Sequence, residues 1–191
     1  MTLLQLVRRW SVDWLNGQHP EVCDDILGPE YTLLIGGFRL GPRVEYVPAT
    51  MAQLARYPGL VVTAHGQTLA FSVIVNDVPA SWSAIGGDLV AVAFSEHGAS
   101  ARLEGRAAVW SGIAVFGWDG ARLTRCFAEE DYYGRRRQLD SGSCDLVDRP
   151  AAAPWDTPVG RPDPTAEAVV RAWLAGPDLR SLPVVCDDEG V

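Results

Sequence analysis

The feature that most limits the possible folds is a long β-rich stretch in the second half of the sequence. Four runs rich in Val, Ile, Phe, Trp and Thr follow one another there, separated by glycine- or proline-containing turns. They span residues 60–77, 87–95, 101–118 and 121–130. Asp119-Gly120 joins the last two runs and is a strong signal for a two-residue hairpin turn. Consecutive strands with short connections predict an antiparallel meander.

Shorter elements precede this meander. The sequence predicts helices over residues 3–15, 20–26 and 48–57, and a strand over residues 31–35. The first helix has a capping-box start, because Thr2 is followed three residues later by Gln5. Asn16-Gly17 ends that helix, and Pro20 can open the next.

Helices first and a long meander afterwards predict an α+β fold, in which N-terminal helices pack on a strongly bent antiparallel sheet. The chain of 191 residues is long enough for one well-buried domain and an appendage. We expect the domain to occupy residues 1–149. Residues 150–164 hold five prolines and few apolar anchors, which predicts a linker. Residues 165–191 are then a C-terminal helical arm.

The C-terminal arm resembles the start of the chain. Eight residues of a nineteen-residue window recur at a constant offset of 163, where unrelated sequence would give about one identity. The first set is Val7, Arg8, Trp10, Pro20, Val22, Cys23, Asp24 and Asp25, and the second is Val170, Arg171, Trp173, Pro183, Val185, Cys186, Asp187 and Asp188. The match suggests that residues 165–191 are the N-terminal part of a second, truncated copy of the domain. Chance similarity between two amphipathic helices is the alternative.

Charge and composition exclude several classes of partner. A formal charge of −8 and a pI near 4.8 predict a surface that repels nucleic acid and anionic lipid. No apolar run approaches the roughly 20 residues that a membrane span needs, and no export signal opens the chain, so we expect a cytoplasmic protein. The four cysteines and three histidines are too scattered to predict a disulfide or a metal site.

Two strings of the sequence are informative, "YVPATMAQLARYPGL" at residues 46–60 and "GIAVFGWDGARLTRCFAEEDYYGRRRQL" at residues 112–139. Both resemble a known family, the SnoaL-like polyketide cyclase branch of the nuclear transport factor 2-like superfamily. The second is similar to the family's closing hairpin, in which a strand with a central aromatic residue is followed by an acid and a terminal Gln-Leu. The resemblance covers residues 3–139. It implies a cone-shaped α+β barrel whose bent sheet encloses a lined cavity.

The resemblance also implies a catalytic acid. In SnoaL-like cyclases an aspartate near the end of the last strand acts as acid and base in an intramolecular aldol closure, and Asp131 matches that position. Strand alternation puts Phe127, Glu129 and Asp131 on one side of the strand and Cys126, Ala128 and Glu130 on the other. If Phe127 faces inward, so does Asp131. An apolar pocket and the neighbouring acids would then raise its pKa toward neutrality. The competing interpretation is a solvated strand end, paired with the basic cluster at residues 135–137.

Other residues could complete such a site. His65 is a possible second proton carrier. Aromatic side chains could hold an apolar ligand, and we single out Tyr31, Tyr57, Trp82, Trp110 and Phe127. Core filling is the simpler interpretation of each aromatic residue. A second carboxyl group could come from Glu45, Glu104 or Asp77.

Two functions remain open from the sequence. The first is a cofactor-free and metal-free enzyme of the cyclase, isomerase or epoxide hydrolase type, acting on a hydrophobic carbonyl compound or epoxide. The string "DLVAVAFSEHG" lacks the Arg-x-Asp pair that limonene epoxide hydrolase-like proteins carry in a middle strand. The second is a non-catalytic module of the same fold that binds a small molecule or dimerises. We expect a hydrophobic small-molecule ligand and a homodimer in either case.

Overall fold

The computed structural model describes residues 1–70 and 89–145, together with residues 164–165, 168–169 and 172, and gives only the backbone of residues 65–70 and 89. The chain divides into two units, residues 1–158 and 159–191. In the second unit the described residues are helical. Trp82, Asp77, Cys186 and nearly all of the predicted linker and repeat lie outside the described residues, so the linker and the repeat stay predictions.

The chain begins with the predicted helix. Helix α1 (Leu3–Arg9) continues directly into a π-helical segment (Trp10–Asn16), and together they bury Leu6 and Trp14 completely. The predicted capping box is confirmed: Gln5 N donates to Thr2 Oγ1 over 3.2 Å, and Thr2 N donates to Gln5 Oε1 over 2.8 Å. These two bonds satisfy backbone donors that a helix start leaves without partners.

Two further helices follow in this part of the chain, α2 (Val22–Ile26) and α3 (Arg43–Leu54). The prediction that α3 begins at Pro48 was wrong, because the helix starts five residues earlier and carries Pro48 in its interior. The earlier turn is stabilised by Tyr46, which is 1% exposed. Its hydroxyl accepts hydrogen bonds from Trp10 Nε1 (3.1 Å) and Trp14 Nε1 (3.2 Å). These buried hydrogen bonds and ring contacts offset the free energy that the helix loses because a proline cannot donate a backbone hydrogen bond.

Six strands form one curled sheet in the order β2-β1-β6-β5-β4-β3. Their bounds are β1 Leu27–Ile35, β2 Phe38–Leu40, β3 Val61–Ala70, β4 Leu89–Ala99, β5 Ala107–Trp118 and β6 Leu123–Glu130. Strands β3 to β6 form the predicted antiparallel meander, and β2 pairs antiparallel with β1. The pairing of β1 with β6 is parallel, so the sheet is not wholly antiparallel as predicted. Helices pack on this sheet, and the predicted α+β class is confirmed.

Two turns differ from the prediction. Strand β5 begins at Ala107 rather than at residue 101, because residues 101–106 form a turn in which Glu104 (φ 50°) and Gly105 (φ 76°) have left-handed backbones. The β5–β6 connection has four residues, 119–122, rather than two. The side chain of Asp119 stabilises it by accepting from the backbone N–H groups of Ala121 and Arg122, both over 2.8 Å.

A helix that the sequence interpretation missed follows the last strand. Residues 132–141 form α4 (Tyr132–Ser141), a stretch for which no helix or strand was predicted. The amide side chain of Gln138, 1% exposed, fixes α4 to the part of β5 that extends beyond β6. Gln138 Oε1 accepts from Val109 N (2.9 Å), and its Nε2 donates to Val109 O (2.5 Å). The amide thus pairs with β5 as a strand would.

No helix among the described residues is both long and apolar enough to span a membrane.

Candidate functional site

Two glutamates and a tryptophan share the concave face at one end of the meander. Glu96 on β4 pairs in register with Trp110 on β5, and Glu130 on β6 pairs with Gly112 on β5. Trp110 and Gly112 are two residues apart, so all four positions face the same way. Glu96 is 8% exposed, and the side chain of Glu130 is 5% exposed. Two carboxyl groups are therefore buried side by side.

Both carboxyl groups line a small inner cavity of about 60 Å³, whose other walls are mostly apolar. They are joined there by Trp10, Leu15, Leu33, Ile35, Leu40, Tyr46, Thr50, Gln53, Leu54, Leu60, Phe94, Ala114 and Ala128. A larger outer cavity of about 810 Å³, which we call the vestibule, shares three of these residues. Ile35, Leu40 and Gln53 line both, so the inner cavity lies next to the vestibule.

Burial changes the proton affinity of the two glutamates. Loss of solvation raises the pKa of Glu96 to about 8, and the neighbouring carboxyl of Glu130 adds to the rise. Burial also raises the pKa of Glu130, while the guanidinium of Arg135 acts in the opposite direction. Two adjacent carboxyl groups in an apolar cavity are hard to ionise together, so near neutral pH the pair holds one proton between them.

Arg135 selects where the negative charge lies. Its Nη1 is 3.5 Å from Glu130 Oε2, and its side chain is only 20% exposed. The guanidinium carbon also lies 4.9 Å from the ring centroid of Trp110, 5.0 Å from that of Tyr132 and 5.9 Å from that of Tyr57. These rings hold the cation in place through cation–π attraction. The anion is therefore better stabilised on Glu130, and the proton on Glu96.

Two polar atoms of the site have no hydrogen-bond partner among the described residues. They are Glu130 Oε2 and the indole Nε1 of Trp110, both fully buried. The indole N–H favours the ionised form of both carboxyl groups, although it lies outside normal hydrogen-bonding geometry. A buried polar atom without a partner costs about 1–3 kcal/mol, which is unusual unless a ligand or water satisfies it. Trp110 Nε1 and Glu130 Oε2, the latter in an ion pair with Arg135, can thus each form a hydrogen bond with a bound molecule.

Asp131 lies outside this site. It is exposed and forms the N-cap of α4, where its Oδ1 accepts from Gly134 N over 2.7 Å. The side of β6 that faces the core carries Cys126 and Ala128, with Glu130 next in phase, and Phe127 is on the other side. The premise that Phe127 and Asp131 face inward is therefore wrong. Aromatic residues of the helices, β1 and β5 occupy the core, where the smaller Cys126 and Ala128 of β6 pack in place of Phe127.

The remaining predicted residues are dispersed. Tyr57 lines the vestibule and packs against Trp110, with ring centroids 5.4 Å apart. Tyr31 is fully buried in the core and packs against Tyr46 at 4.9 Å. His65 lies on β3 at a register shift, and the structure describes its backbone but not its side chain. Trp82 lies wholly outside the described residues. The proposed second acids Glu45 and Glu104 line neither cavity in the described ranges.

Sequence reasoning missed Glu96, Glu130 and Arg135. The signal for Glu96 is present in "DLVAVAFSEHG": Val90, Val92 and Phe94 alternate on the buried face, and Glu96 is next in the same phase. A glutamate that continues an apolar face is worth examining as a buried acid. Among the described residues, no group of three or more His, Cys, Asp or Glu side chains could hold a metal ion.

Solved structures share this architecture. A protein with a ketosteroid isomerase-like fold from Catenulispora acidiphila, in complex with trimethylamine, matches with a TM-score of 0.58 and 13% identity, over 73% of this chain and 95% of that one. A candidate SnoaL-like polyketide cyclase from Jannaschia sp. CCS1 matches with a TM-score of 0.58 and 13% identity, over 72% and 91%. The chain therefore has the ketosteroid isomerase-like cone fold. The fold that the SnoaL-like resemblance implied is confirmed.

A third structure with this fold is an LEH-like epoxide hydrolase from M. tuberculosis. It matches with a TM-score of 0.53 and 17% identity, over 73% of this chain and 85% of that one. No family model and no curated protein matches the sequence. At these identities the cone fold is shared, and the reaction has to be argued from the site itself.

Proposed function

We propose that the protein is a cofactor-free enzyme that performs acid/base chemistry on a hydrophobic carbonyl compound or epoxide. One observation carries the proposal: Glu96 and Glu130 are buried in the same apolar cavity, and among the described residues Arg135 forms an ion pair with Glu130 and not with Glu96. Environments that push two carboxyl groups toward different protonation states provide an acid and a base at one pH.

Glu130 is the base in this mechanism and Glu96 the acid. Arg135 stabilises the Glu130 anion from 3.5 Å, so that this carboxylate can accept a proton near neutral pH. Glu96, with a pKa raised to about 8, keeps its proton under the same conditions and can donate it. Trp110 Nε1, buried and without a partner among the described residues, is available to donate to a developing oxyanion.

In the cyclase version, Glu130 removes a proton from a carbon flanked by carbonyl groups. The resulting enolate carbon attacks a second carbonyl of the same molecule, a C–C bond forms, and Glu96 protonates the new alkoxide. The proton on Glu130 then returns to Glu96, so no net proton is consumed. In the epoxide version, Glu96 protonates the ring oxygen as one C–O bond breaks, and the oxygen of a water molecule forms a new C–O bond while Glu130 accepts its proton. That proton then returns to Glu96, and the product is a diol.

Each cavity accommodates a different part of the substrate. The inner cavity of about 60 Å³ holds little more than a reacting functional group, since ligand pockets are commonly about 300 Å³ or larger. The vestibule of about 810 Å³ can hold the body of the molecule. Structures with this fold that are described as a candidate polyketide cyclase and as an epoxide hydrolase support the choice of carbonyl compounds and epoxides.

Hydrogen exchange at the α-carbon of 2-tetralone in D2O, monitored by NMR, tests whether Glu130 is the base. Wild-type protein is expected to catalyse the exchange, and Glu130→Gln to lose about 100-fold or more of the rate. Asp131→Asn is the matched control, because Asp131 is exposed and asparagine also caps helices. Exchange that survives in Glu130→Gln but disappears in Asp131→Asn would overturn the assignment.

A non-catalytic binding module is the second candidate. The small volume of the inner cavity favours it, because a cone largely filled by its own side chains has little room for a reaction. This candidate predicts that 2-tetralone quenches the tryptophan fluorescence while its α-hydrogens exchange no faster than in buffer. Accelerated exchange rejects it.

A further inference from the structure

The vestibule is basic although the chain as a whole is acidic. The full chain has a formal charge of −8, yet four arginines and one acid, Glu129, line this cavity. The arginines are Arg39, Arg56, Arg102 and Arg135. Because positive charge concentrates in a concave site on an acidic protein, the local field there favours anions.

Three of these cations have no counter-ion in the part of the chain that the structure describes. Within residues 1–70 and 89–145, the guanidinium groups of Arg39, Arg56 and Arg102 form no ion pair with a carboxylate. Other arginines do find partners: Arg9 lies 3.3 Å from Asp13 and from Asp25. Acids outnumber basic residues in the sequence, 24 to 16, so partners are not scarce. The vestibule therefore keeps its positive charge available.

The arginines come from segments that are held against one another. Arg39 is on β2, Arg56 follows the end of α3, and Arg102 lies in the β4–β5 turn. Ala101 N donates to the backbone carbonyl of Arg56 over 2.8 Å, which fixes the second segment to the third. Apolar side chains lie among the charges, since Phe38 (75% exposed) and Leu103 (40% exposed) line the same cavity.

We infer that the vestibule binds an anionic group, a carboxylate or a phosphate, carried by the hydrophobic substrate. The inference rests on the proposed function for the role of that molecule as a substrate. Guanidinium groups suit either anion, because their paired N–H donors match two oxygens of a carboxylate or a phosphate. The apolar rim contacts the body of the molecule, while its other end reaches Glu96 and Glu130.

Binding of matched naphthalene probes tests the inference. Titration calorimetry compares 2-naphthylacetate with its neutral amide, 2-naphthylacetamide, and includes 2-naphthyl phosphate to separate the two anions. We expect at least one anion to bind about tenfold more tightly than the amide at low salt, with the difference shrinking as salt is added. Arg56→Gln and Arg102→Gln should each weaken anion binding about threefold and leave amide binding unchanged. Arg8→Gln, which alters an exposed arginine on α1, is the control.

The binding results test the anionic subsite independently of the proposed acid/base function. Equal affinity for the anions and the amide, or a preference that is undiminished in both arginine variants, would overturn the anionic subsite while leaving the acid/base proposal standing. A preference that is reduced in the arginine variants supports the subsite even if Glu130→Gln proves fully active in α-hydrogen exchange. Absence of binding by all three probes contradicts the subsite.

Discussion

Arg135 Nη1 lies 3.5 Å from Glu130 Oε2 at the boundary between two cavities: Arg135 lines the vestibule, and Glu130 lines the inner cavity. The guanidinium stabilises the Glu130 anion and is itself held by the rings of Tyr57, Trp110 and Tyr132. Helix α4 carries this arginine, so the placement of one helix sets the charge state of a buried glutamate on the neighbouring strand.

Removing the guanidinium should move the pH dependence of catalysis. In Arg135→Gln the pKa of Glu130 rises further, so the base ionises only at higher pH. The acidic limb of the pH profile for 2-tetralone exchange should move up by about one pH unit or more. Arg136→Gln is the control, because Arg136 is 84% exposed and pairs with Asp140. An unmoved limb in Arg135→Gln would show that Arg135 does not set the charge of Glu130.

Stability should fall as pH rises. The pKa of Glu96 is about 8 in the folded protein, well above its ordinary value, so between about pH 5 and pH 8 the folded state holds more protons than the unfolded state. The free energy of unfolding therefore decreases over this range, by at most about 1.4 kcal/mol per pH unit from this group.

The variant Glu96→Gln isolates this contribution, since a neutral amide replaces the carboxyl at similar size. It should match wild type at pH 5 and exceed it by about 2–4 kcal/mol at pH 8.5 in urea unfolding. If the stability difference between variant and wild type is the same at both pH values, Glu96 does not titrate in this range.

Gly112 should not tolerate a side chain. A Cβ atom added there would lie 2.6 Å from the Phe94 ring and 2.7 Å from the backbone oxygen of Glu129. Gly112→Ala is expected to lower the free energy of unfolding by about 1–3 kcal/mol, because the backbone atom cannot move aside easily. Gly28→Ala, where the nearest atom lies at an ordinary 3.5 Å, should cost less. Equal losses for both variants would contradict the close packing around Gly112.

Gln138 should be needed for the attachment of α4. In Gln138→Glu the two amide donors are lost, and a carboxylate faces the backbone oxygens of Val109 and Gly134. We expect a loss of about 2–4 kcal/mol in urea unfolding at pH 7. Gln18→Glu makes the same chemical change at an exposed position and serves as the control. A variant as stable as wild type would show that this amide is not what holds the helix.

Much of the fold was predictable from local patterns. The capping box at Thr2, the helical spacing of Leu6 and Trp14, and the β-rich runs each report a structure that the segment itself favours. The parallel pairing of β1 with β6 was not predictable in this way, because it joins distant segments and leaves no local signal. The start of α3 was missed for a related reason, since burial of Tyr46 outweighs the local effect of Pro48.

The site was harder to predict than the fold. On β6 both faces alternate plausibly. The SnoaL-like resemblance pointed to Asp131, which faces inward only if Phe127 does, whereas Cys126 and Ala128 face the core and Glu130 follows in phase. A shift of one residue exchanges the two faces of a strand, so local alternation could not correct the choice of acid. On β4 the phase was readable, because Val90, Val92 and Phe94 lead directly to Glu96. The position of Arg135 beside Glu130 depends on α4, a helix that was not predicted from the sequence.

Glu96 keeps its proton near neutral pH beside a second glutamate, Glu130, that is paired with Arg135. Titration of side-chain carboxyl carbons by 13C NMR, in wild-type protein and in Glu96→Gln, observes this proton itself. We expect one glutamate carboxyl that titrates near pH 8 in wild type and is missing from the variant. A spectrum in which every glutamate carboxyl titrates below about pH 5, as in exposed side chains, would contradict it.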